Sequence, residues 1–233
     1  MPLSAYLRAI VLLICAGAAL FGSAGNFTLA EFWAYLAIFV AVFVAAFVML
    51  DRGLLQERMR PGGKPTPVGL RLLNVVLLLH WIIAGLDRGR LHWTDTVPVW
   101  LQALALATVA AGYALVFWAM LVNRFFSSVV RIQSDRRQHV IDRGPYALVR
   151  HPGYSAGFTN RGRQRCCARS WLASAFLVAA VLPFLLYRVI KEDRVLQSQL
   201  TGYADYARRV PWRLVPGLWL IEGGVHVLAT PYS

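Results

Sequence analysis

The sequence predicts an all-α protein: a polytopic transmembrane helical bundle of about five membrane segments, followed by a C-terminal amphipathic helix. Hydrophobic residues make up 58% of the 233, charged residues only 15%, and mean hydropathy is +0.53. A soluble domain carries about 25% charged residues. Apolar runs of bilayer-spanning length recur along the chain, and the net charge of +13 sits in the connections between them. Cationic connections favour the cytoplasmic side and anionic headgroups.

The elements follow in order. Tyr6 to Leu20 is the first run, closed by a Gly/Ser/Asn turn at Gly22 to Asn26. It resembles a signal peptide, but Gly22-Ser23-Ala24 leads straight into another span, so it reads as an uncleaved helix. Phe32 to Leu50 is a clean span. The connection after it holds Arg52, Arg58, Arg60 and Lys64, and Pro61, Gly62, Gly63, Pro65 and Pro67 predict irregular backbone there. Leu70 to Leu86 is shorter and contains Arg71, Asn74 and His80; Val97 to Val122 is the longest run. Both basic connections, after the second span and from Arg124 to Arg169, are expected on the cytoplasmic side, with the N-terminus. Trp171 to Tyr187 is apolar but marginally long, interrupted by Pro183 and flanked by basic residues on both sides. Leu196 to Val210 spaces Leu200, Tyr203, Tyr206 and Val210 three and four apart, which predicts an amphipathic helix on the inner leaflet. The tail after Trp219 carries no clear pattern. The division that results is 1–122, four membrane helices, and 123–233, a catalytic region with the last membrane segment.

Two polar stretches stand out: Gln133 to Tyr154, QSDRRQHVIDRGPYALVRHPGY, and Tyr187 to Leu196, YRVIKEDRVL. Charged groups beside hydrocarbon-length runs are costly and usually face a cavity or an interface. A site at the membrane–water boundary is therefore expected. The basic pI does not indicate a nucleic-acid partner, since no soluble domain offers a basic face. The three cysteines, Cys15, Cys166 and Cys167, lack metal-ligand spacing.

The strings GPYALVRHPGY, YRVIKEDRVLQ, GYADYARRV and RLVPGLW resemble the isoprenylcysteine carboxyl methyltransferase family, which is related to membrane phospholipid methyltransferases. RHPxY followed by RxxxE in a membrane setting carries most of the resemblance, and LLQERMRPGGKP suggests a bacterial-type member. The resemblance implies methyl transfer from S-adenosylmethionine to a lipophilic acceptor, with the site facing the cytoplasm, in a bacterial inner membrane. It implies cofactor contacts at Gln133, Gln138, His139, Val140, Ile141, Tyr146, His151, Pro152, Tyr154 and Glu192, and acceptor binding at Arg188, with Arg188 and Glu192 as the catalytic pair.

The chemistry of these residues agrees. A carboxylate acceptor is ionised near neutral pH and needs no base; a guanidinium fork holds both of its oxygens. Glu192, four residues after Arg188, falls on the same helical face. Proline biases His151 to extended backbone, which is expected to expose peptide groups to a nucleotide, while Tyr146 and Tyr154 offer aromatic faces. Plainer readings stand beside these. Arg136, Arg137, Arg143 and Arg150 read as positive-inside anchors, Tyr146 and Tyr154 as belt aromatics, and Arg188–Glu192 as a surface pair worth about 0.3–0.5 kcal/mol. His80 reads as a helix–helix hydrogen bond rather than a catalyst. Two other functions remain open: phospholipid N-methylation, which needs a base near the methyl group, and a non-catalytic membrane scaffold.

Thr159 to Arg169, TNRGRQRCCAR, stands where the resemblance expects an apolar helix leading to a Gly-Ser-Trp turn. A pair of compensating frameshifts accounts for it, because Arg and Cys codons read one nucleotide later give mainly Val, Ala and similar residues. Resequencing the locus is expected to restore an apolar frame; an undisturbed frame contradicts this origin.

Overall fold

In the computed structural model, the residues described are 3–59, 62, 68–94, 96–155, 170–221 and 224–227. Segment 159–169 lies outside them. The helices are α1 (Leu3–Ala24), α2 (Ala30–Met49), α3 (Arg52–Met59), α4 (Val68–Leu86), α5 (Val99–Val122), α6 (Trp171–Gln199) and α7 (Tyr203–Arg209). Among the described residues, five stretches are long and apolar enough to cross a bilayer: Tyr6–Ala24, Ala30–Met49, Arg71–Leu91, Val99–Val122 and Trp171–Gln199. The chain is an integral membrane protein of helical-bundle type. Helices solve the problem of spanning hydrocarbon because each satisfies its own backbone. Their outward faces are apolar, with Val44, Val48, Leu72, Val75 and Trp118 exposed, the inverse of a soluble surface.

Small residues set the packing. α1 lies against α4, and a Cβ on Gly85 would stand 2.4 Å from the Leu20 carbonyl oxygen, while one on Gly89 would stand 2.4 Å from Ala24 Cα. Close backbone approach is the usual basis of helix association in lipid, where no hydrophobic force acts between helices. Leu20, Phe32, Trp81, Ala84 and Val109 are buried together around this seam. Trp81 Nε1 donates to the Tyr35 hydroxyl at 3.2 Å. His80 Nδ1 lies 2.9 Å from the Ala173 carbonyl and ties α4 to α6, as the sequence suggested.

The far end of the bundle is closed by polar side chains. Arg88 pairs with Glu31 at 2.8 Å. Asp87, in a π-helical turn at Asp87–Leu91, accepts from the Thr94 amide at 2.9 Å and from its hydroxyl. Thr94 Oγ1 in turn accepts from the Leu172 amide at 3.0 Å, and Ser170 caps α6 through the Ala173 amide at 3.0 Å. α6 thus starts at the far end and finishes at the end that carries the polar loop; the basic residues that precede it, Arg161 to Arg169, lie outside the described residues.

Four expectations are corrected. α6 is not a marginal span ending at Tyr187 but a helix of 29 residues that absorbs the polar cluster. Pro183 removes only one N–H from it, and the Arg, Lys, Glu and Leu that follow are good helix formers. At ~1.5 Å per residue it is roughly 43 Å long, beyond the ~30 Å of hydrocarbon, which carries its last turns into the headgroup zone. The connection after the second span opens in a helix rather than a loop, Arg52–Met59, capped by Asp51, whose carboxylate accepts from the Gly53 and Leu54 amides at 2.7 and 3.2 Å; of the residues expected to be irregular, Pro61, Gly63, Pro65 and Pro67 lie outside the described residues. Leu54 packs with Leu50 and Met120. Leu196–Val210 is not one helix, because Gly202 takes φ +81° and separates α6 from α7. The tail pairs as a short antiparallel hairpin, β1 (Leu218–Ile221) with β2 (Gly224–Val227), Leu218 opposite Val227.

Gly85→Leu is expected to cost about 3 kcal/mol, the upper end for overpacking, whereas Gly22→Ala, with nothing within 4 Å of its Cβ, is expected to be close to neutral. Thermal unfolding in detergent checks this; equal midpoints for the two variants would contradict the close α1–α4 seam.

Candidate functional site

After α5 the chain leaves regular helix and folds over the bundle end. Asn123 starts the change: its Oδ1 accepts from the Phe125 amide at 2.9 Å and its Nδ2 donates to the Tyr146 hydroxyl at 3.0 Å. Gln133, 1% exposed, donates from Nε2 to the Phe125 carbonyl at 2.6 Å and accepts from Arg136 at 2.8 Å. The Gln133 amide donates to Gln138 Oε1 at 2.7 Å. Pro145 opens a 3-10 turn at Gly144–Ala147 that points Tyr146 inward, and the Tyr206 hydroxyl of α7 donates to the Tyr146 carbonyl at 2.7 Å.

The next turn is fixed by a buried carboxylate. Asp193 of α6 has no exposed surface. Its Oδ1 lies 3.2 Å from His151 Nε2 and accepts from the Tyr203 hydroxyl at 3.0 Å. Its Oδ2 accepts from Arg213 Nε and Gln197 Nε2, both at 2.8 Å, and Arg150 stands 3.4 Å away. Three chain segments and α7 therefore converge on one side chain. The backbone adds to the closure: the Arg150 and His151 amides donate to the Trp212 and Arg213 carbonyls at 2.9 Å each. This corrects the expectation that the His-Pro step presents its peptide groups to a ligand, since both amides are already spent.

Within this frame lies a cavity of about 360 Å³, in the usual range for a small-molecule site. Every candidate residue from the sequence lines it: Gln133, Gln138, His139, Val140, Ile141, Tyr146, His151, Pro152, Tyr154, Arg188 and Glu192. Arg188 and Glu192 are linked through Tyr154, whose hydroxyl donates to Glu192 Oε2 at 2.8 Å and accepts from Arg188 Nε at 3.2 Å. Arg188 also donates from Nη2 to the Ser128 carbonyl at 2.9 Å. Burial pushes the Tyr146 and Tyr154 hydroxyls well above the ordinary phenol range, so both stay protonated donors. His139 is exposed and sits edge-on to Phe125 with centroids 5.1 Å apart.

Of the four arginines read as anchors, Arg137 and Arg143 are exposed and fit that reading. Arg150 does not: it is 9% exposed, lines the cavity, and its Nε is buried without a hydrogen-bond partner among the described residues. Arg136 is half-buried against Gln133. Asp193 was not singled out from sequence, although its place beside Glu192 and the buried partners a membrane carboxylate requires were a usable signal. Arg58, read only as a loop cation, also lines the cavity, with its guanidinium 5.0 Å from the centre of the Phe126 ring. Its neighbour Glu57 is buried against Arg131 at 2.9 Å and Ser127 at 2.9 Å. Burial acts to raise the Glu57 pKa, but hydrogen bonds from Arg131, the Gly62 amide and Ser127 outweigh it, and the carboxyl ends below its ordinary value.

A helical membrane protein with a largely apolar cavity at one end of the bundle, into which a few charged and hydroxyl groups project, is the class that fold and site define. Residues 103–198 match the sequence model of the Isoprenylcysteine carboxyl methyltransferase (ICMT) family. The chain is 30% identical over 125 residues to Protein-S-isoprenylcysteine O-methyltransferase B of Arabidopsis thaliana, covering 52% of this chain and 59% of that one. It is 28% identical over 149 residues to Cobalt-zinc-cadmium resistance protein CzcN of Cupriavidus metallidurans, covering 63% and 64%. It is 26% identical over 132 residues to Nickel-cobalt-cadmium resistance protein NccN of Alcaligenes xylosoxydans xylosoxydans, covering 56% and 57%. Each match thus spans about three fifths of the relative's length. Residues 103–198 are thus similar to the isoprenylcysteine carboxyl methyltransferase family.

Asp193→Ala is expected to destabilise the protein by about 3–5 kcal/mol, because it leaves Arg150, Arg213 and His151 buried without their counter-charge. Thermal unfolding of the purified chain measures it, and a midpoint equal to wild type would contradict the role of this carboxylate as the tie of the site.

Proposed function

We propose that this protein is a membrane methyltransferase that moves a methyl group from S-adenosylmethionine to a lipophilic acceptor, a carboxylate, at the cytoplasmic face of a bacterial inner membrane. The observation that carries the reading is the Arg188–Tyr154–Glu192 chain inside a cavity at the bundle end. The lining suits the cofactor in three ways. Glu192 offers a negative charge to a sulfonium. Arg150 Nε, buried and unpartnered among the described residues, offers a donor to an amino-acid carboxylate. Tyr146 and Tyr154 offer faces to a purine. When bound, the cofactor supplies an electrophilic methyl carbon.

The chain's own residues do the rest. Gln133, Gln138, His139, Val140, Ile141, His151 and Pro152 form the cofactor wall. Arg188 spends two N–H groups on Tyr154 and Ser128, and its remaining donors hold an acceptor carboxylate in line, an arrangement that contributes through proximity. No proton moves in methylation of a carboxylate, so no base is required. Residues 1–122 hold the bundle and 123–233 carry most of the cavity. The basic loops at the cavity end support a cytoplasmic orientation.

A second reading, N-methylation of an aminophospholipid, is favoured by the His151–Asp193 pair, since an oriented histidine is what a general base requires. Label transfer from methyl-labelled S-adenosylmethionine, in membranes containing this chain, separates the readings: product in prenyl carboxylates supports the first, and product in phosphatidylethanolamine the second. No transfer and no cofactor binding would leave a non-catalytic scaffold. Glu192→Ala and His151→Ala are expected to weaken cofactor binding by about tenfold or more, ~1.4 kcal/mol. Arg188→Ala is expected to spare binding and impair turnover. Equal binding losses in all three variants would contradict this division of roles.

A further inference from the structure

We propose that Arg58, on α3, is a second acceptor-binding cation that acts with Arg188 to select a lipophilic molecule by its carboxylate. The inference rests on the methyltransferase reading and deepens it at the acceptor end; α3 lies outside residues 103–198, the span shared with the family. Glu57 and Arg58 divide two tasks between adjacent residues. Glu57, 7% exposed, accepts from Arg131 Nε and Nη2 at 3.1 and 2.9 Å and from Ser127 Oγ at 2.9 Å, which fastens α3 to the loop after α5. The Arg58 side chain lines the cavity instead.

Ser128 joins the two arginines. Its hydroxyl donates to the Arg58 carbonyl at 3.1 Å, and its carbonyl accepts from Arg188 Nη2 at 2.9 Å. Arg58 rests over the Phe126 ring, 5.0 Å from its centre, and among the described residues no carboxylate pairs with it. Gly153 makes room for that ring, since a Cβ there would lie 2.5 Å from Phe126 Cζ. The acid that also lines the cavity, Glu192, is engaged by the Tyr154 hydroxyl. A guanidinium stays protonated at neutral pH even when burial opposes it. A half-buried cation without a counter-charge among the described residues carries a desolvation cost, which an anionic headgroup relieves and an ammonium headgroup aggravates. The planar forks of two arginines also match the geometry of a carboxylate.

The test uses the full chain purified in detergent and calorimetric titration with one S-farnesyl thioether in three forms: free acid, methyl ester and primary amine. Wild type is expected to bind the acid about tenfold or more tighter than either other form. Arg58→Met keeps an apolar stem over Phe126; it is expected to lose about tenfold for the acid alone and to leave S-adenosylmethionine affinity within about twofold. Arg58→Gln gives the same comparison if the methionine variant does not fold. Acid binding unchanged in these variants, or an equal loss for all three forms, would overturn the assignment, the latter because it marks a structural role. Wild type without an acid preference overturns it as well. Acid preference with no S-adenosylmethionine binding would sink the methyltransferase reading while leaving Arg58 as an anion-binding residue.

Discussion

The site depends on one buried charge. Asp193 sits with no exposed surface on the last membrane helix and gathers His151, Arg150, Arg213, Tyr203 and Gln197 around its two oxygens. Such a group is costly to bury and is tolerated only when its charge and lone pairs are all answered. That requirement works as a constraint on the chain. It holds the RHPGY turn, α7 and the segment before the hairpin in one relative position, so the cavity walls are set before any ligand arrives. Because buried ion networks tolerate few alternative arrangements, a preformed cavity follows from the same interaction that closes the fold.

The second constraint is length. α6 outruns the hydrocarbon thickness, so its apolar half is lipid-embedded while Arg188, Glu192 and Asp193 stand on turns at the polar boundary. Three demands meet there. In the reaction we propose, a charged cofactor needs water, an acceptor tail needs lipid, and methyl transfer needs both reactants held in line. A helix that begins in one medium and ends in the other supplies all three with a single rigid element.

Much of this was legible in the sequence, for physical reasons that differ by residue. The five spans were readable because hydrocarbon-length apolar runs have few other uses. Arg188 and Glu192 stood out through the family resemblance, and their spacing added only that they share one helical face. The structure adds the detail that Tyr154 mediates between them. Other features were hidden. Nothing in Leu196 to Val210 reveals by periodicity that Gly202 adopts a left-handed conformation and ends a helix. Arg150 reads as one more loop cation until the partners that bury it are known, since Asp193 is far from it in sequence. Arg58 was obscured in the same way: it belongs to the first half of the chain and completes a cavity built mainly from the second.

The account stands most directly on whether the cavity takes the cofactor that its lining suits. Calorimetric titration of S-adenosylmethionine into the detergent-purified chain, alongside Glu192→Ala, measures it. Saturable micromolar binding that is lost in the variant is the predicted result. Absence of binding by wild-type protein that unfolds cooperatively would contradict the account, and would leave a membrane protein whose preformed cavity serves a different ligand.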